Sequence, residues 1–291
     1  LSNRRQADVP PLDPEAIREF VARALAEDVG TGDLTTLAVV PDDLPAAGIV
    51  LAKADCVVCG LAVAEEVCRQ VDARLVWRAR VADGDTCRAG MVMAELCGPA
   101  AAMLVAERTL LNVLQQWSGI ATLTRRFVDA AAGRIAVLDT RKTTPTLRLF
   151  EKYAVRCGGG TNHRRGLFDG VLIKDNHIRI AGGVGEAVAR VRAAMAGRTP
   201  AVPIEVEAQT IAQVQDALEA GADIIMLDNL TDAEMASAVA LINRRSRIEV
   251  SGGVTLERLA TIAASGADWV SVGALTHSAP AVDISLEIEA G

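Results

Sequence analysis

The sequence predicts an α/β protein: a C-terminal α/β barrel, irregular and TIM-like, preceded by a smaller N-terminal α+β sandwich domain. Three observations predict it. Past Gly133, short apolar runs recur at residues 135–138, 170–173, 202–206, 224–227, 248–250 and 269–272, with helical patterns between them. Strands alternating with helices of that length imply parallel strands joined by right-handed crossovers. Each run also ends in polar groups: Asp139-Thr140-Arg141-Lys142, Lys174-Asp175-Asn176, Glu205 and Glu207, Asp228-Asn229, Ser251-Gly252-Gly253, and Ser271 with Gly273. A barrel carries its site on that face, whereas an open sheet gathers ligand groups at one switch point. Finally, half the residues are apolar but only 3% are aromatic, which favours small-residue packing of helix on sheet.

The elements follow in order. Residues 14–29 place Ile17, Phe20, Val21, Ala24 and Leu25 on one helical face. Asp13 is the natural cap and Pro14 a natural first-turn residue; Gly30-Thr31-Gly32-Asp33 ends the helix. Residues 48–96 read as short strands, with turns at Asp83-Gly84-Asp85 and Arg88-Ala89-Gly90 and a helix over 61–71. A long helix runs from Pro99 to Ser118, and a second, over 120–132, follows a break at Ser118-Gly119. The N-terminal domain is therefore expected over 1–117 and the barrel over 118–277, with the tail 278–291 packing on the former. Barrel helices fall at 185–196, 211–220, 232–243 and 256–265. Gly221-Ala222-Asp223 and Gly266-Ala267-Asp268 repeat one helix-end signal, with Gly as C-cap. The opening 11 residues, polar and Pro-containing, are expected to be a loose lead-in.

Charge narrows the function. The chain is acidic, with formal net charge −7 and pI near 5.1, which argues against nucleic-acid binding. It has no apolar run of about 18 residues and no export signal, so a cytoplasmic protein that does not meet the membrane is expected. The Cys56–Cys59 pair has metal-site spacing but no second pair to complete a zinc site; the six cysteines are expected reduced and partly buried. Against this background, residues 139–177 hold eight Lys/Arg and four Asp/Glu. A local excess of positive charge in an acidic protein points to an anionic small-molecule substrate.

The residue types refine that substrate. Ser251-Gly252-Gly253 precedes a helix near Thr255, and Gly273 follows the next strand. Glycines let main-chain N–H groups approach a phosphate, and loops after the last barrel strands are the usual place for one. Glu207 and Asp228 end adjacent strands and suit Mg²⁺ or ribose hydroxyls; whether Glu205 or Glu207 reaches the ligand stays open. Arg141, Lys142, His163, Arg164 and Lys174 would crowd the same mouth, Arg with a fork for carboxylate and phosphate, Lys with a compact charge. Gly158-Gly159-Gly160 suggests backbone packed close to something. The residues thus describe a barrel enzyme for polyanionic substrates that works by positioning and electrostatics.

Three long motifs carry a resemblance: D-T-R-K-T-x-P from Asp139, K-Y-A-V-x-C-G-G-G-x-N-H-R-x-G-L-x-D from Lys152, and L-I-K-D-N-H-I from Leu172. Together with Glu107-Arg108, Glu205-Val206-Glu207, Leu227-Asp228-Asn229 and Val272-Gly273-Ala274-Leu275-Thr276-His277, the chain closely resembles the quinolinate phosphoribosyltransferases nearly end to end. The resemblance implies a pentosyltransferase of NAD biosynthesis that turns quinolinate and phosphoribosyl pyrophosphate (PRPP) into nicotinate mononucleotide, pyrophosphate and CO₂ with Mg²⁺. It also implies a homodimer in which Arg108 reaches the partner's quinolinate. By the same resemblance, Arg141, His163, Arg164 and Lys174 would bind quinolinate. Lys142, Lys174, Glu207 and Asp228 would be catalytic, and Glu207 and Asp228 would hold the metal. Lys142, Glu207, Asp228, Ser251, Gly252, Gly253, Gly273 and His277 would serve PRPP. One departure is visible: Thr146 stands where the family usually has Gly, which is unfavourable if φ is positive there. A relative acting on nicotinate would need fewer cations than Arg108, Arg141, His163 and Arg164 provide. A non-catalytic phosphometabolite-binding protein would not need Lys142, Lys174, Glu207 and Asp228.

Overall fold

The computed structural model describes residues 9–290, so residues 1–8 of the expected lead-in lie outside the described residues. Cα packing divides the chain into two compact units. The first comprises the chain up to residue 125, residues 149–159 and residues from 278 onward; the second comprises residues 126–148 and 160–277.

The first unit opens on helix α1 (Pro14–Val29), where the Asp13 carboxylate accepts the Glu15 N–H and Ile17 and Val21 are buried. A short α2 (Leu34–Val39) is set by Asp33, whose Oδ1 accepts the N–H groups of Thr35 and Thr36 at 3.0 Å each. Strands β1 (Pro45–Ala52) and β2 (Cys56–Val57), helix α3 (Leu61–Val71), and strands β3 (Val76–Ala79), β4 (Thr86–Cys87) and β5 (Val92–Pro99) follow. The C-terminal strand Ile284–Ala290 pairs antiparallel with β1, which pairs with β5, which pairs with β3. Asp83 anchors α3: its Oδ1 accepts from the N–H groups of Gly60 and Leu61, and its Oδ2 from the Tyr153 hydroxyl. Burial pushes the Asp83 pKa up, against the pull of those hydrogen bonds. Trp117 and Phe150 stack at 4.8 Å, with Phe20 tilted against both. All six cysteines are free thiols, five of them buried.

The expected break at Ser118-Gly119 is absent. One helix, α4 (Ala100–Ala131), runs through both residues. They are small because neighbours need the room, not because the helix ends. The Ser118 hydroxyl accepts the Cys59 N–H at 3.0 Å, and a Cβ on Gly119 would sit 2.1 Å from the Pro280 carbonyl oxygen. Gly119→Ala is therefore expected to destabilise the protein by about 2 kcal/mol. Overpacking against backbone costs roughly 1–3 kcal/mol and outweighs a gain in helix propensity of about 1 kcal/mol. Thermal or urea melts would expose the error if the variant were as stable as the parent. Helix α5 (Arg148–Cys157) lies mostly in this unit too, and Gly158 after it packs where a Cβ would meet Ala121 O and Thr124 Cβ at 2.5 Å each. Gly158 is thus a close backbone approach.

The second unit is the alternating half. Strands β6 (Ala136–Leu138), β7 (Val171–Ile173), β8 (Ile204–Ala208), β9 (Ile224–Asp228), β10 (Arg247–Ser251) and β11 (Trp269–Ser271) form one parallel sheet in the order β6-β11-β10-β9-β8-β7. Helices α6 (Asp175–Ala181), α7 (Val184–Ala194), α8 (Ile211–Glu219), α9 (Asp232–Ile242), α10 (Leu256–Ala264) and α11 (Ala274–His277) connect or follow them. Six consecutive strands make a barrel-like α/β domain. Its helices start on side-chain caps where the chain turns: Thr210, Thr231 and Thr255 cap α8, α9 and α10. No helix among the described residues is long and apolar enough to cross a membrane.

Thr146 has φ +70° in a turn closed by the Leu147 N–H on the Thr144 carbonyl. With Pro145 second, this is the turn whose third position asks for glycine. A β-branched residue there costs about 1–2 kcal/mol, and glycine gives back part of that as unfolded-state entropy. Thr146→Gly is expected to stabilise the fold by about 1 kcal/mol, raising Tm by roughly 1–3 °C. A lower Tm would contradict this.

Candidate active site

The strand ends converge on one cavity of about 490 Å³ in the second unit. Thr140, Arg141 and Lys142 reach it from the end of β6, His163 and Arg164 from the loop before β7, and Lys174 from the end of β7. Glu207 on β8, Asp228 and Asn229 at β9, Ser251, Gly252 and Gly253 at β10, and Ser271 on β11 complete the polar wall, with Leu172 and Met226 as its apolar part. Four of the eight cations in residues 139–177 therefore face one space. Lys152, by contrast, is buried on α5.

Each group is held by a local device. At β6, the Lys142 N–H donates to Thr140 Oγ1 at 3.0 Å, and the Thr276 hydroxyl donates to the Lys142 carbonyl at 2.7 Å. Buried Asp139 accepts the His163 N–H at 2.8 Å and the Asn162 side-chain amide at 2.6 Å, tying the loop carrying His163 and Arg164 to the strand end. At β7, His177 Nδ1 accepts the Lys174 N–H at 3.0 Å. Lys174 Nζ meets Glu207 Oε2 at 3.2 Å, and Asp228 Oδ2 accepts from Asn229 and Gln209 at 2.8 and 3.4 Å.

Two electrostatic features mark the cavity as an anion site. Arg141 Nε is buried without a hydrogen-bond partner. Arg164 has a pKa below the usual arginine range because burial and then the Arg141 charge disfavour its cationic form. Like charges kept together in a half-buried space are stabilised by an anion between them. At the other end, Gly252 has φ +81°, and a Cβ there would lie 2.2 Å from Asn229 Oδ1; Gly253 follows at φ +59°, ahead of α10. That is main chain packed directly against Asn229 at a helix start on the cavity wall.

The other expected site residues stand apart from the cavity wall. A Cβ on Gly273 would lie 3.0 Å from Lys142 Cδ and 3.2 Å from His277 Nε2, so this glycine keeps room for both side chains behind the wall. Arg108 is exposed on α4 in the first unit. Of the two glutamates on β8, Glu207 lines the cavity, while Glu205 is buried against His163 and Glu249. Asp139, His177, Asn162 and Glu249 act behind the wall and were not among the expected site residues. Asp139 is legible as the first residue of the first motif and His177 as the next-to-last of the third. Glu249 carries no signal beyond a charge in an apolar strand.

Glu249 also carries a pH signature. Burial, and then the neighbouring Glu205 charge, push its pKa up to about 8, from an ordinary 4.5. The groups facing it are Glu205, His163 and Ser271. Below the unfolded value both states are protonated. As pH rises toward 8 the unfolded chain ionises first, so stability is lost across that window. Glu249→Gln is expected to flatten the fall in Tm between pH 5 and 8 relative to the parent; parallel Tm curves would argue against the shift.

A parallel barrel-like domain with cations, paired carboxylates and a glycine-lined helix start at its strand ends defines a phosphosubstrate-handling α/β enzyme class. The comparisons narrow it. Residues 33–118 match the quinolinate phosphoribosyl transferase N-terminal domain and residues 120–287 its C-terminal domain. The chain belongs to the quinolinate phosphoribosyl transferase family. It is 44% identical to the chloroplastic nicotinate-nucleotide pyrophosphorylase [carboxylating] of Arabidopsis thaliana, over 96% of this chain and 85% of that one. It is 43% identical to the probable enzyme of that name from Bacillus subtilis, over 94% and 93%. The solved nicotinate-nucleotide pyrophosphorylase of Francisella tularensis superposes with TM-score 0.91 at 37% identity, covering 97% of this chain and 99% of that one.

Proposed function

We propose that this chain transfers the phosphoribosyl group of PRPP to quinolinate and decarboxylates the product, giving nicotinate mononucleotide, pyrophosphate and CO₂. The observation that carries the reading is the single cavity holding Arg141, Lys142, Arg164 and Lys174 together with Glu207, Asp228 and the Gly252-Gly253 turn. Arg141 and Arg164 hold the quinolinate carboxylates, with His163 beside Arg164 on the cavity wall. Ser251, Gly252 and Gly253 receive the 5′-phosphate, with Gly273 and His277 flanking Lys142. The pyridine nitrogen forms a bond to ribose C1 as the C1–O bond breaks and its electron pair leaves with pyrophosphate, whose charge Lys142 and Lys174 stabilise. The N-ribosyl pyridinium then takes up the electron pair of the breaking C2–carboxylate bond, and that carbon is protonated as CO₂ leaves.

The donor set suits Mg²⁺: Glu207 and Asp228 offer carboxylate oxygens at adjacent strand ends beside the phosphate region. Bound there, the ion would neutralise charge on the pyrophosphate. A homodimer belongs to the same reading, with Arg108 reaching the partner's quinolinate. Exposed Leu34, Leu37 and Val39 on α2, and exposed Leu167, Phe168 and Ile180 in the second unit, support a covering partner. We place the reaction in the cytoplasm.

The test is a pair of reactions with PRPP and Mg²⁺, one given quinolinate and the other nicotinate. Nicotinate mononucleotide with CO₂ from quinolinate alone is expected. Product from nicotinate alone would replace the substrate, and silence in both would replace the activity.

A further inference from the structure

At the back of the cavity, β8 and β10 contribute Glu205 and Glu249, and β11 contributes Ser271 from the wall itself; they are 4%, 1% and 4% exposed. The two glutamates meet at His163. The Arg164 main-chain N–H donates to His163 Nδ1 at 2.7 Å, so that nitrogen carries no proton. The ring proton is then on Nε2, which donates to Glu205 Oε2 at 3.1 Å and lies 3.6 Å from Glu249 Oε2. The Ser271 hydroxyl donates to Glu249 Oε1. Glu205 Oε1 is buried with no N–H or hydroxyl donor, and two carboxylates this close do not both ionise in a buried place. Burial and the neighbouring Glu205 charge both push the Glu249 pKa up, so Glu249 is the carboxyl driven to keep its proton beside Glu205. His163, Glu205 and Glu249 lie within 4.8 Å of one another. An Nε2–H aimed at Glu205 leaves no imidazole lone pair there for a cation.

We propose that Glu249 is a positioning residue for this site. Braced by Ser271, it acts through Glu205 to hold His163 in its Nε2-protonated neutral form. Nδ1 then accepts the Arg164 N–H, which fixes the backbone from which the Arg164 guanidinium enters the cavity. The chain Ser271–Glu249–Glu205–His163–Arg164 runs from the last barrel strand to the substrate anion. Its Arg164 end rests on the quinolinate reading; its histidine end does not.

The experiment has two readouts on the full-length protein. Nitrogen-15 NMR of the histidine rings, with His163 assigned by a His163→Gln sample, reports the tautomer without any substrate. Steady-state kinetics with quinolinate and PRPP report KM against kcat. In the parent, His163 is expected neutral with its proton on Nε2. Glu249→Gln keeps a neutral donor toward Glu205 and an acceptor for Ser271, so it should retain that tautomer and a quinolinate KM within about twofold. Glu249→Leu removes the carboxyl that Ser271 braces against Glu205 and the imidazole, so His163 should lose its Nε2-protonated tautomer and the Arg164 contact and raise quinolinate KM by about tenfold with kcat nearly unchanged (a loss of one charge-assisted contact). Should Glu249→Leu not fold, Ser271→Ala carries the comparison, with a smaller KM rise in the same direction. A parent ring protonated on Nδ1 or on both nitrogens overturns the proposal, as does an unchanged KM in the folded Leu or Ala variant. A parent without quinolinate turnover, but with the expected tautomer pattern across the variants, would sink the substrate reading and leave the positioning chain standing.

Discussion

Arg141→Gln is expected to raise the KM for quinolinate and lower kcat/KM on the order of 10²–10³-fold. The guanidinium of Arg141 stands in the cavity with Nε buried and unpartnered, beside the half-buried Arg164 whose charge it disfavours. A forked donor in such a place stabilises a carboxylate far more than a surface arginine would, because water competes poorly and the like-charge strain is relieved on binding. Truncating one partner of a desolvated charge pair costs roughly 2–5 kcal/mol, which spans that range. The KM for PRPP should move little, since the glycine turn that receives its phosphate lies at other strand ends. Arg141→Lys should restore only part of the loss, as an ammonium offers no planar fork. Initial-rate kinetics with each substrate varied would decide it. A quinolinate KM unchanged in Arg141→Gln would remove this end of the cavity from carboxylate binding.

The barrel half was legible because its period is plain. Runs such as 224–227 and 269–272, each entered through a Gly-Ala-Asp signal, read as buried parallel strands between helices, and β9 and β11 lie there. Much of the cavity wall was legible for the same reason: Thr140, Lys174, Asp228 and Ser251 lie at or just past such strand ends and line the cavity, whereas Asp139 sits buried behind it. Gly119 looks like punctuation in the sequence, but its reason lies 161 positions away at Pro280. Helix α5 was hidden inside a motif read only for chemistry, although Leu149, Phe150, Tyr153 and Ala154 carry a helical face. The partners of His163 were illegible in principle. Glu205 and Glu249 are 44 residues apart, and a sequence does not reveal which carboxylate is driven to keep its proton until burial brings the two together.

Lys174→Met is expected to lower kcat on the order of 10²–10³-fold while changing stability by less than about 1 kcal/mol, and the contrast is what makes it informative. Lys174 is nearly half exposed, so its 3.2 Å pair with Glu207 is screened by solvent, and exposed pairs of this kind contribute roughly 0–1 kcal/mol to folding. Its backbone is fixed locally: His177 accepts its main-chain N–H at 3.0 Å where α6 begins. A fixed ammonium of little structural worth, facing two carboxylates and a phosphate turn, is best accounted for by charge that appears only during the reaction. Stabilisation of developing charge by one preorganised donor is worth about 2.7–4 kcal/mol in kcat. Glu207, freed of its partner, would also repel the pyrophosphate more strongly, adding to the loss. Single-turnover rates and a melt on the same sample separate the two effects. A kcat within about threefold of the parent would assign Lys174 to holding Glu207 alone, and a large fall in Tm with intact kcat would make the pair a structural one.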